Sequence, residues 1–217
     1  KQVLKHFMST SKKILIIAPH ADDEVLGVGG TTQKLIREGH DVYLIICCTR
    51  EKDIEEYKEC TTHFKQTFRL PFEDESLEAQ VTPLLKSIEE VYTVIKPDWT
   101  FIPRENDLNL DHRAVHRACE VVLRRYQEHA PVKIFEYEIP SSTTQSFDNN
   151  FKGNVYIPLT RNDILTKIDL LTSYIHEVRV YPNPRSSEGL LTYAKFRGME
   201  CDAEYAEYFN LIYSKDL

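Results

Sequence analysis

Short apolar runs alternate along the chain with longer segments in which apolar residues recur at helical spacing. Residues 14–17 form an unbroken apolar run, which is typical of a strand buried on both faces of a sheet. In residues 81–95 apolar side chains recur three and four positions apart, which predicts an amphipathic helix. The other predicted strands are 41–49, 99–103 and 132–137, and the other predicted helices are 24–38, 52–68, 112–129, 159–174 and 188–209.

The alternation of strands and helices predicts parallel βαβ units. We therefore expect an α/β fold with a Rossmann-like, mostly parallel sheet that carries helices on both faces. In such sheets the active site forms at the C-terminal ends of the strands. Polar clusters follow the predicted strands after Pro19, Pro103 and Tyr137. Because the chain shows no internal repeat or linker, residues 1–217 are expected to form a single domain, with residues 1–11 as an extension.

The composition narrows the class of protein. Apolar residues make up 41% and charged residues 28% of the chain, as in ordinary soluble domains. The net charge of −7 argues against a nucleic-acid-binding protein, which normally presents a basic face. No apolar run reaches the roughly 18 residues of a membrane span. Five cysteines without a Cys-x-x-Cys pair favour reduced, packed thiols and a cytoplasmic location.

The first polar cluster contains His20, Asp22 and Asp23, directly after the first predicted strand. Two adjacent carboxylates repel each other unless a cation lies nearby, and imidazole with carboxylate suits zinc. Since His20 and Asp23 are three positions apart, one turn can bring both to a single point and leave Asp22 unligated beside it. The alternative is that Asp22 or Asp23 caps the helix that follows. The residues alone give these two interpretations equal weight.

The second polar cluster follows Pro103 and includes His112 and His116. Their spacing of four places both on one helix face, which is a spacing that can bind zinc. We favour His112 as a ligand and interpret His116, one turn deeper, as a structural or supporting residue. Asp111 is a candidate cap of this helix. With His20 and Asp23, His112 would complete three protein ligands and leave one position for water, which is the plan of catalytic zinc sites.

The glycines at 27, 29 and 30 resemble part of a dinucleotide-binding fingerprint. The third glycine of that fingerprint would fall on Thr32, and the run lies inside the first predicted helix rather than at the turn before it. Close packing of the helix on the sheet is therefore the better interpretation. The chain also contains no Gly-x-Ser-x-Gly motif for a serine nucleophile.

Two motifs carry a resemblance to a known family. Pro-His-Ala-Asp-Asp-Glu at residues 19–24 and Asn-Leu-Asp-His at 109–112 resemble the paired motifs of the LmbE-like/PIG-L zinc de-N-acetylases. Further similarity at residues 137–143 and 197–209, where this family has its C-terminal helix, extends the resemblance over about residues 12–210. The resemblance implies hydrolysis of an N-acetylated amino sugar or glycoconjugate to acetate and a free amine.

The resemblance also implies roles for single residues. His20, Asp23 and His112 would hold Zn²⁺, and Asp22 would be the general base. Asn109 stands where many relatives have a histidine that stabilises the tetrahedral intermediate. We expect Asn109 to donate to the oxyanion instead, with His176 as the alternative donor. Asp111 would orient its neighbours.

The sequence also offers candidate substrate contacts and an expected assembly. Arg50, Arg104 and Ser142 follow predicted strand ends, where they could meet a sugar hydroxyl, phosphate or carboxylate. The alternatives are a solvated side chain for each arginine and a simple turn for Ser142. Relatives often form trimers or hexamers, so a homo-oligomer is implied.

Two rival functions remain open at this point. One is a zinc hydrolase of another small amide, such as an acylated amino acid. The other is a metal-containing sugar-binding domain without catalysis. The presence of Asp22 argues against the second, because binding alone needs no base at that position.

Overall fold

The computed structural model describes residues 11–50, 58, 60–147 and 151–216. The strands in this part of the chain are β1 Lys13–His20, β2 Asp41–Cys48, β3 Gln66–Phe72, β4 Trp99–Pro103, β5 Lys133–Tyr137, β6 Val155–Leu159 and β7 Tyr205–Ser214. The helices described here are α1 Asp23–Arg37, α2 Val81–Ile95, α3 Leu110–Val122, α4 Arg161–Ser173 and α5 Ser187–Met199. None of these helices combines the length and the apolar character that a membrane span requires.

The strand pairing confirms the predicted α/β fold with its mostly parallel sheet. The strand order is β3-β2-β1-β4-β5-β7-β6, and every pair from β3 to β5 is parallel. Strand β7 pairs antiparallel with both of its neighbours, β5 and β6, so among the described strands it alone runs against the common direction. Along β1, Ile14 and Ile16 pack into one apolar core, whereas Leu15 and Ile17 pack into another. Since successive side chains of a strand point to opposite faces, both faces of the sheet are covered.

The C-terminal segment is a strand where the apolar pattern predicts a helix. The predicted helix 188–209 ends at Met199, and Tyr205–Ser214 forms β7 between β5 and β6. The chain turns back at Gly198, where a Cβ would lie only 2.6 Å from the Ala203 carbonyl oxygen. The prediction was wrong because strand formation here depends on two neighbouring strands from elsewhere in the chain.

Two edge strands were also missing from the predicted set. Gln66–Phe72 forms β3, although the pattern predicts a helix as far as 68. Residues 51–57 and 59 of that predicted helix lie outside the described residues, as do residues 1–10 of the expected extension. Val155–Leu159 forms β6 at the opposite edge. Edge strands are only partly buried, so neither has the unbroken apolar run that marks a central strand.

The glycines of α1 permit close packing against the sheet and the neighbouring helix. A Cβ at Gly27 would lie 2.3 Å from the Tyr137 ring, and one at Gly30 would lie 2.5 Å from Leu159. These distances are too short for two carbon atoms without movement, which confirms the packing interpretation of the glycine run. The close approach places the N-terminus of α1 directly at the ends of β1 and β5.

A buried ion pair ties α1 to α4 and β7. Lys167 Nζ lies 2.6 Å from Glu207 Oε1, and both side chains are less than a tenth exposed. Lys167 also donates to the Leu26 carbonyl oxygen at 2.8 Å. The backbone N–H groups of Gly30 and Thr31 donate to the Glu207 carboxylate. All these groups are paired, as buried charges must be.

Candidate active site

Three side chains from three elements meet at the C-terminal edge of the sheet. His20 ends β1, Asp23 begins α1, and His112 lies in the first turn of α3. His20 Nδ1 is 3.1 Å from Asp23 Oδ2, and His112 Nε2 is 3.2 Å from both of these atoms. The three atoms form a nearly equilateral triangle, and the three residues form a group that could hold a metal ion. We call this group the His–Asp–His triangle.

The His–Asp–His triangle fits a zinc ion in size and in donor chemistry. A tetrahedral ion with bonds of about 2.0–2.1 Å separates its ligand atoms by about 3.3–3.4 Å, close to the distances found here. Two imidazoles and one carboxylate are ligands that zinc commonly takes. The second oxygen of Asp23 is buried and has no hydrogen-bond partner among the described residues. Such an atom is costly to bury, and a cation beside it removes the cost.

A carboxylate lies behind each imidazole of the triangle. His20 Nε2 is 3.2 Å from Asp111 Oδ2 and 3.0 Å from Asp74 Oδ1. His112 Nδ1 is 3.1 Å from Asp107 Oδ1. Each ring therefore turns one nitrogen to the triangle and the other to a carboxylate. This arrangement fixes the tautomer and orientation of metal-ligating histidines.

Asp107 is itself held by three hydrogen bonds. The Thr143 and Ser142 hydroxyls donate to Oδ2 at 2.6 and 3.0 Å, and the Asn109 backbone N–H donates to Oδ1 at 2.9 Å. The loop after β5 and the start of α3 are thus joined through one buried carboxylate. His112 takes its orientation from a fixed group rather than from a mobile side chain.

A second group that could hold a metal shares one residue with the triangle and consists of His20, Cys48, Asp74 and Asp111. The Asp111 carboxylate already accepts from the backbone N–H groups of Glu75 and Leu77 at 2.8 and 3.0 Å. The Cys48 thiol donates to the Pro19 carbonyl oxygen. Because its members are bonded within the protein, we interpret this group as support for His20 and the triangle as the metal site.

The pKa values of Asp23 and His112 are shifted by the charged groups around them. Burial alone would raise the pKa of Asp23, but His112 and His20 hold that pKa well below its usual range. Burial alone would lower the pKa of His112, but Asp23 and Asp107 raise it to about 9. The carboxylates therefore stabilise positive charge where the ring nitrogens meet, which is the charge that a divalent cation carries.

Asp22 has an unusual backbone that the structure braces. It occupies the N-cap position of α1 with φ of 115°, a left-handed region that non-glycine residues rarely adopt. Its side chain makes no capping hydrogen bond, so the capping interpretation is wrong for Asp22. The Asp23 carboxylate accepts a hydrogen bond from the backbone N–H of His20, which lies before the helix rather than in it. The Asp22 backbone N–H donates to Glu24, which also accepts from the Tyr174 hydroxyl at 2.6 Å. Glu24 therefore holds the turn before α1 as well as lying in the first turn of the helix.

The Asp22 carboxylate is nearly inaccessible yet lines the same cavity as His20 and His112. Burial raises the pKa of Asp22 well above its usual range, the adjacent Asp23 raises it further, and Arg185 opposes both effects. Arg185 Nη1 lies 3.0 Å from Asp22 Oδ2. A carboxylate with a raised pKa beside a metal site is suited to accept and return a proton.

The cavity over the triangle has a volume of about 190 Å³ and is lined by polar and charged residues. Polar side chains bind hydroxyl-rich ligands better than apolar ones, because each hydroxyl group needs a hydrogen-bond partner when it leaves water. The lining residues are His20, Asp22, Arg50, Asp74, Glu75, Asn109, His112, Ser142 and Arg185.

The sequence profile of a known family covers both polar clusters. The PIG-L profile, described as GlcNAc-PI de-N-acetylase, matches residues 15–123, which is about half of the chain. The chain belongs to the PIG-L family. The resemblance indicated by residues 19–24 and 109–112 is thereby confirmed.

Individual relatives of this PIG-L chain are distant. It is 27% identical over 145 residues to the uncharacterized deacetylase YaiS of Escherichia coli K12, over 60% of this chain and 76% of that protein. The N,N'-diacetylchitobiose deacetylase of Pyrococcus horikoshii has a TM-score of 0.75 at 20% identity, over 97% of this chain and 89% of its own. GalB, the 4-carboxy-2-hydroxymuconate hydratase of Pseudomonas putida KT2440, has a TM-score of 0.70 at 13% identity, over 95% and 98%. Since one fold carries both reactions, the reaction must be argued from the site.

The structure brings most of the predicted substrate contacts to the cavity but not all of them. Arg50, Asn109 and Ser142 line it. Arg104 instead lines a separate cavity with Phe151 and Asn210, so the structure does not place it beside the triangle. His176, the alternative oxyanion donor, is exposed and is absent from the cavity lining.

His116 lies one turn below the predicted ligand His112, as the sequence interpretation has it, whereas Asp111 does not cap its helix. His116 lies one turn below the triangle, where its Nε2 pairs with Glu136 Oε1 at 3.0 Å. Asn109, rather than Asp111, caps α3, because its side-chain oxygen accepts from the Asp111 backbone N–H. Asp111 is thereby free to turn its carboxylate towards His20.

Three residues of the site were not singled out by the sequence. Asp107 lies two positions before Asn109 in the second polar cluster, so that cluster was an available signal. Asp74 follows β3. Because the apolar pattern of β3 is weak, the sequence did not indicate that a strand ends just before Asp74. Arg185 lies far along the chain in the loop before α5, and only the tertiary structure places it beside Asp22.

Proposed function

We propose that this PIG-L chain is a zinc-dependent hydrolase that removes the acetyl group from an N-acetylated amino sugar or glycoconjugate. The observation that carries the proposal is the His–Asp–His triangle with the buried Asp22 carboxylate in the same cavity. A purely structural zinc site closes all four positions with protein ligands, whereas this triangle offers three. The polar lining of the cavity and the chitobiose substrate in the name of one structural neighbour support a sugar.

The roles of the chain's own residues follow from their positions. Zinc, when bound, supplies a Lewis acid that activates water and polarises the acyl carbonyl. Asp22 takes the proton from the attacking water and passes it to the departing amine, which leaves as the free amino sugar. Asn109 donates from its side-chain amide to the oxyanion, while its oxygen caps α3. Asp107 and Asp111 hold the two imidazoles in place.

The test is a combined metal and acetate assay on protein purified without added zinc. We expect about one zinc per chain, as the three ligands imply. Acetate and free amine should appear in equal amounts from N-acetylglucosamine or N,N'-diacetylchitobiose. A chelator should stop the release and added zinc should restore it. Release only from N-acetylated amino acids would favour the other small-amide hydrolase, and zinc binding without any release would favour the non-catalytic binding domain.

A single domain, a cytoplasmic location and a trimeric or hexameric assembly stay predictions from the sequence and the family resemblance. So do the contributions of Arg50 and Ser142 to sugar binding. Both side chains are already engaged within the protein, Arg50 with Glu177 and Ser142 with Asp107. A sugar hydroxyl would have to share these groups.

Replacing Asp107 with asparagine is expected to weaken zinc binding about 10–100-fold, the usual effect of losing the carboxylate behind a metal-ligating histidine. Asparagine keeps the size of the side chain but removes the charge that orients His112. Competition titration with a chromogenic chelator measures the affinity. The matched control is Asp169→Asn, an exposed change on α4 that should leave the affinity unchanged. Equal affinities for both variants would contradict the role given to Asp107.

A further inference from the structure

A partly buried arginine lies directly behind the Asp22 carboxylate. Arg185 Nη1 is 3.0 Å from Asp22 Oδ2, and the same nitrogen is 2.5 Å from Glu177 Oε2. Asp22 and Glu177 are each 2% exposed at the side chain, so this charge cluster is largely shielded from water. Shielding from water makes such contacts stronger than ion pairs on the surface.

Arg185 is fixed from several sides before it meets Asp22. Its Nε donates to the Ser141 hydroxyl at 2.7 Å. The other oxygen of Glu177 pairs with Arg50, and Arg179 lies 3.8 Å from Glu177 Oε2, so this carboxylate pairs with Arg185 and with two further guanidinium groups. The planar guanidinium presents its N–H groups in a rigid fork, which suits a group that has several fixed partners. Arg185 is therefore a preorganised part of the site.

The backbone and the side chain of Asp22 are held by different groups. Glu24 holds the backbone N–H, as described above. The only ion pair of the Asp22 carboxylate to a described residue is the one to Arg185. The Asp22 oxygen facing Arg185 accepts no well-aligned hydrogen bond from the described residues. Arg185 thus holds the carboxylate by charge and leaves its lone pairs available for a proton.

We propose that Arg185, held by Glu177 and Ser141, is a positioning residue that sets the direction of the Asp22 carboxylate in the catalytic cavity. The proposal rests on the proposed function, in which Asp22 moves the proton. In the competing role, Arg185 would recognise an anionic group of the substrate. Arg185 already contacts two carboxylates of the protein, Asp22 and Glu177, and the kinetic test below separates the two roles.

The kinetic test compares zinc-loaded Arg185→Met, Arg185→Lys and wild type on whichever of N-acetylglucosamine and N,N'-diacetylchitobiose the wild type hydrolyses. Misplacing a catalytic group by about 1 Å can cost about 100-fold in rate. We expect kcat to fall about 10–100-fold in Arg185→Met, with KM and zinc content close to wild type. Arg185→Lys should recover part of the loss, because lysine restores the charge but not the fork.

The matched control is Arg197→Met on α5. Arg197 makes a bidentate pair with Glu138 through bonds of 2.9 Å but does not touch Asp22. The Arg197→Met substitution should leave kcat unchanged in the folded protein, even if it lowers the free energy of unfolding. An equal loss of kcat in both variants would show a general structural effect and overturn the proposal. A raised KM at unchanged kcat, or loss of zinc in Arg185→Met, would overturn it as well.

Crystal structures of the zinc-loaded proteins decide the proposal independently of turnover. The Asp22 carboxylate should leave its position in Arg185→Met and keep it in Arg197→Met. An unmoved Asp22 in Arg185→Met would be incompatible with a positioning role. If the wild type hydrolyses neither sugar, the proposed function fails, and the position of Asp22 in these structures still supports or overturns the positioning role of Arg185.

Discussion

Replacing Asp22 with asparagine is expected to lower kcat about 100–10,000-fold, the range that general acid–base groups contribute. Asparagine has nearly the same shape but cannot take up the proton of the attacking water. Since the three ligands of the His–Asp–His triangle are untouched, the zinc content should equal that of the wild type. Acetate release and metal content measured on the same samples test both parts of the prediction.

The matched control for this variant is Asp202→Asn. Asp202 also has a left-handed backbone, with φ of 56°, but it is exposed and lies outside the cavity lining. It therefore reports any effect of an asparagine at a left-handed position. Full activity in Asp22→Asn with zinc bound would mean that another group moves the proton.

Replacing Lys167 with methionine is expected to lower the free energy of unfolding by about 3–5 kcal/mol, as usual when one partner of a buried ion pair is removed. The change leaves Glu207 buried without its counter-ion and takes a donor from the Leu26 carbonyl oxygen. Urea denaturation at a fixed zinc concentration measures the loss, since bound metal adds to apparent stability.

The control for Lys167→Met is Arg37→Met. Arg37 also joins α1 to α4, through Asp163 at 3.0 Å, but its side chain is 50% exposed, whereas Asp163 is buried and also accepts hydrogen bonds from Thr160. We expect a smaller loss than for Lys167→Met, because water screens the exposed guanidinium and Asp163 keeps its bonds to Thr160. If Lys167→Met cost no more than Arg37→Met, the buried pair would have no special part in holding α1 and the first motif in place.

The fold could be predicted where local pattern and burial agree. Strand β1 is covered on both faces, and its unbroken apolar run indicates this burial directly. Helix α2 matches its predicted bounds of 81–95, because one face packs on the sheet and the other meets water. The pattern failed for β3 and β6 at the sheet edges and for β7, because their pairing depends on distant strands rather than on neighbouring residues.

The candidate site, like the fold, could be predicted only where short-range patterns in the sequence mark its residues. His20, Asp22 and Asp23 are close together in sequence, so their types and spacing offer a metal site with a carboxylate beside it as one of two interpretations, and the family resemblance favours it over a helix cap. His112 could be added because its motif follows another strand end. Arg185 and Glu177 could not be added, because neither spacing nor periodicity relates them to residues more than 150 positions earlier.

The sequence by itself determined the parallel α/β architecture, the PIG-L family and the chemical types of the side chains in the His–Asp–His triangle. Those properties follow from apolar periodicity and from short motifs, which act over a few residues. The tertiary structure alone decided which nitrogen of each histidine meets the triangle, which carboxylate lies behind it, and what holds Asp22. These properties depend on side chains brought together from separate strand ends, and packing rather than local sequence sets the distances between them.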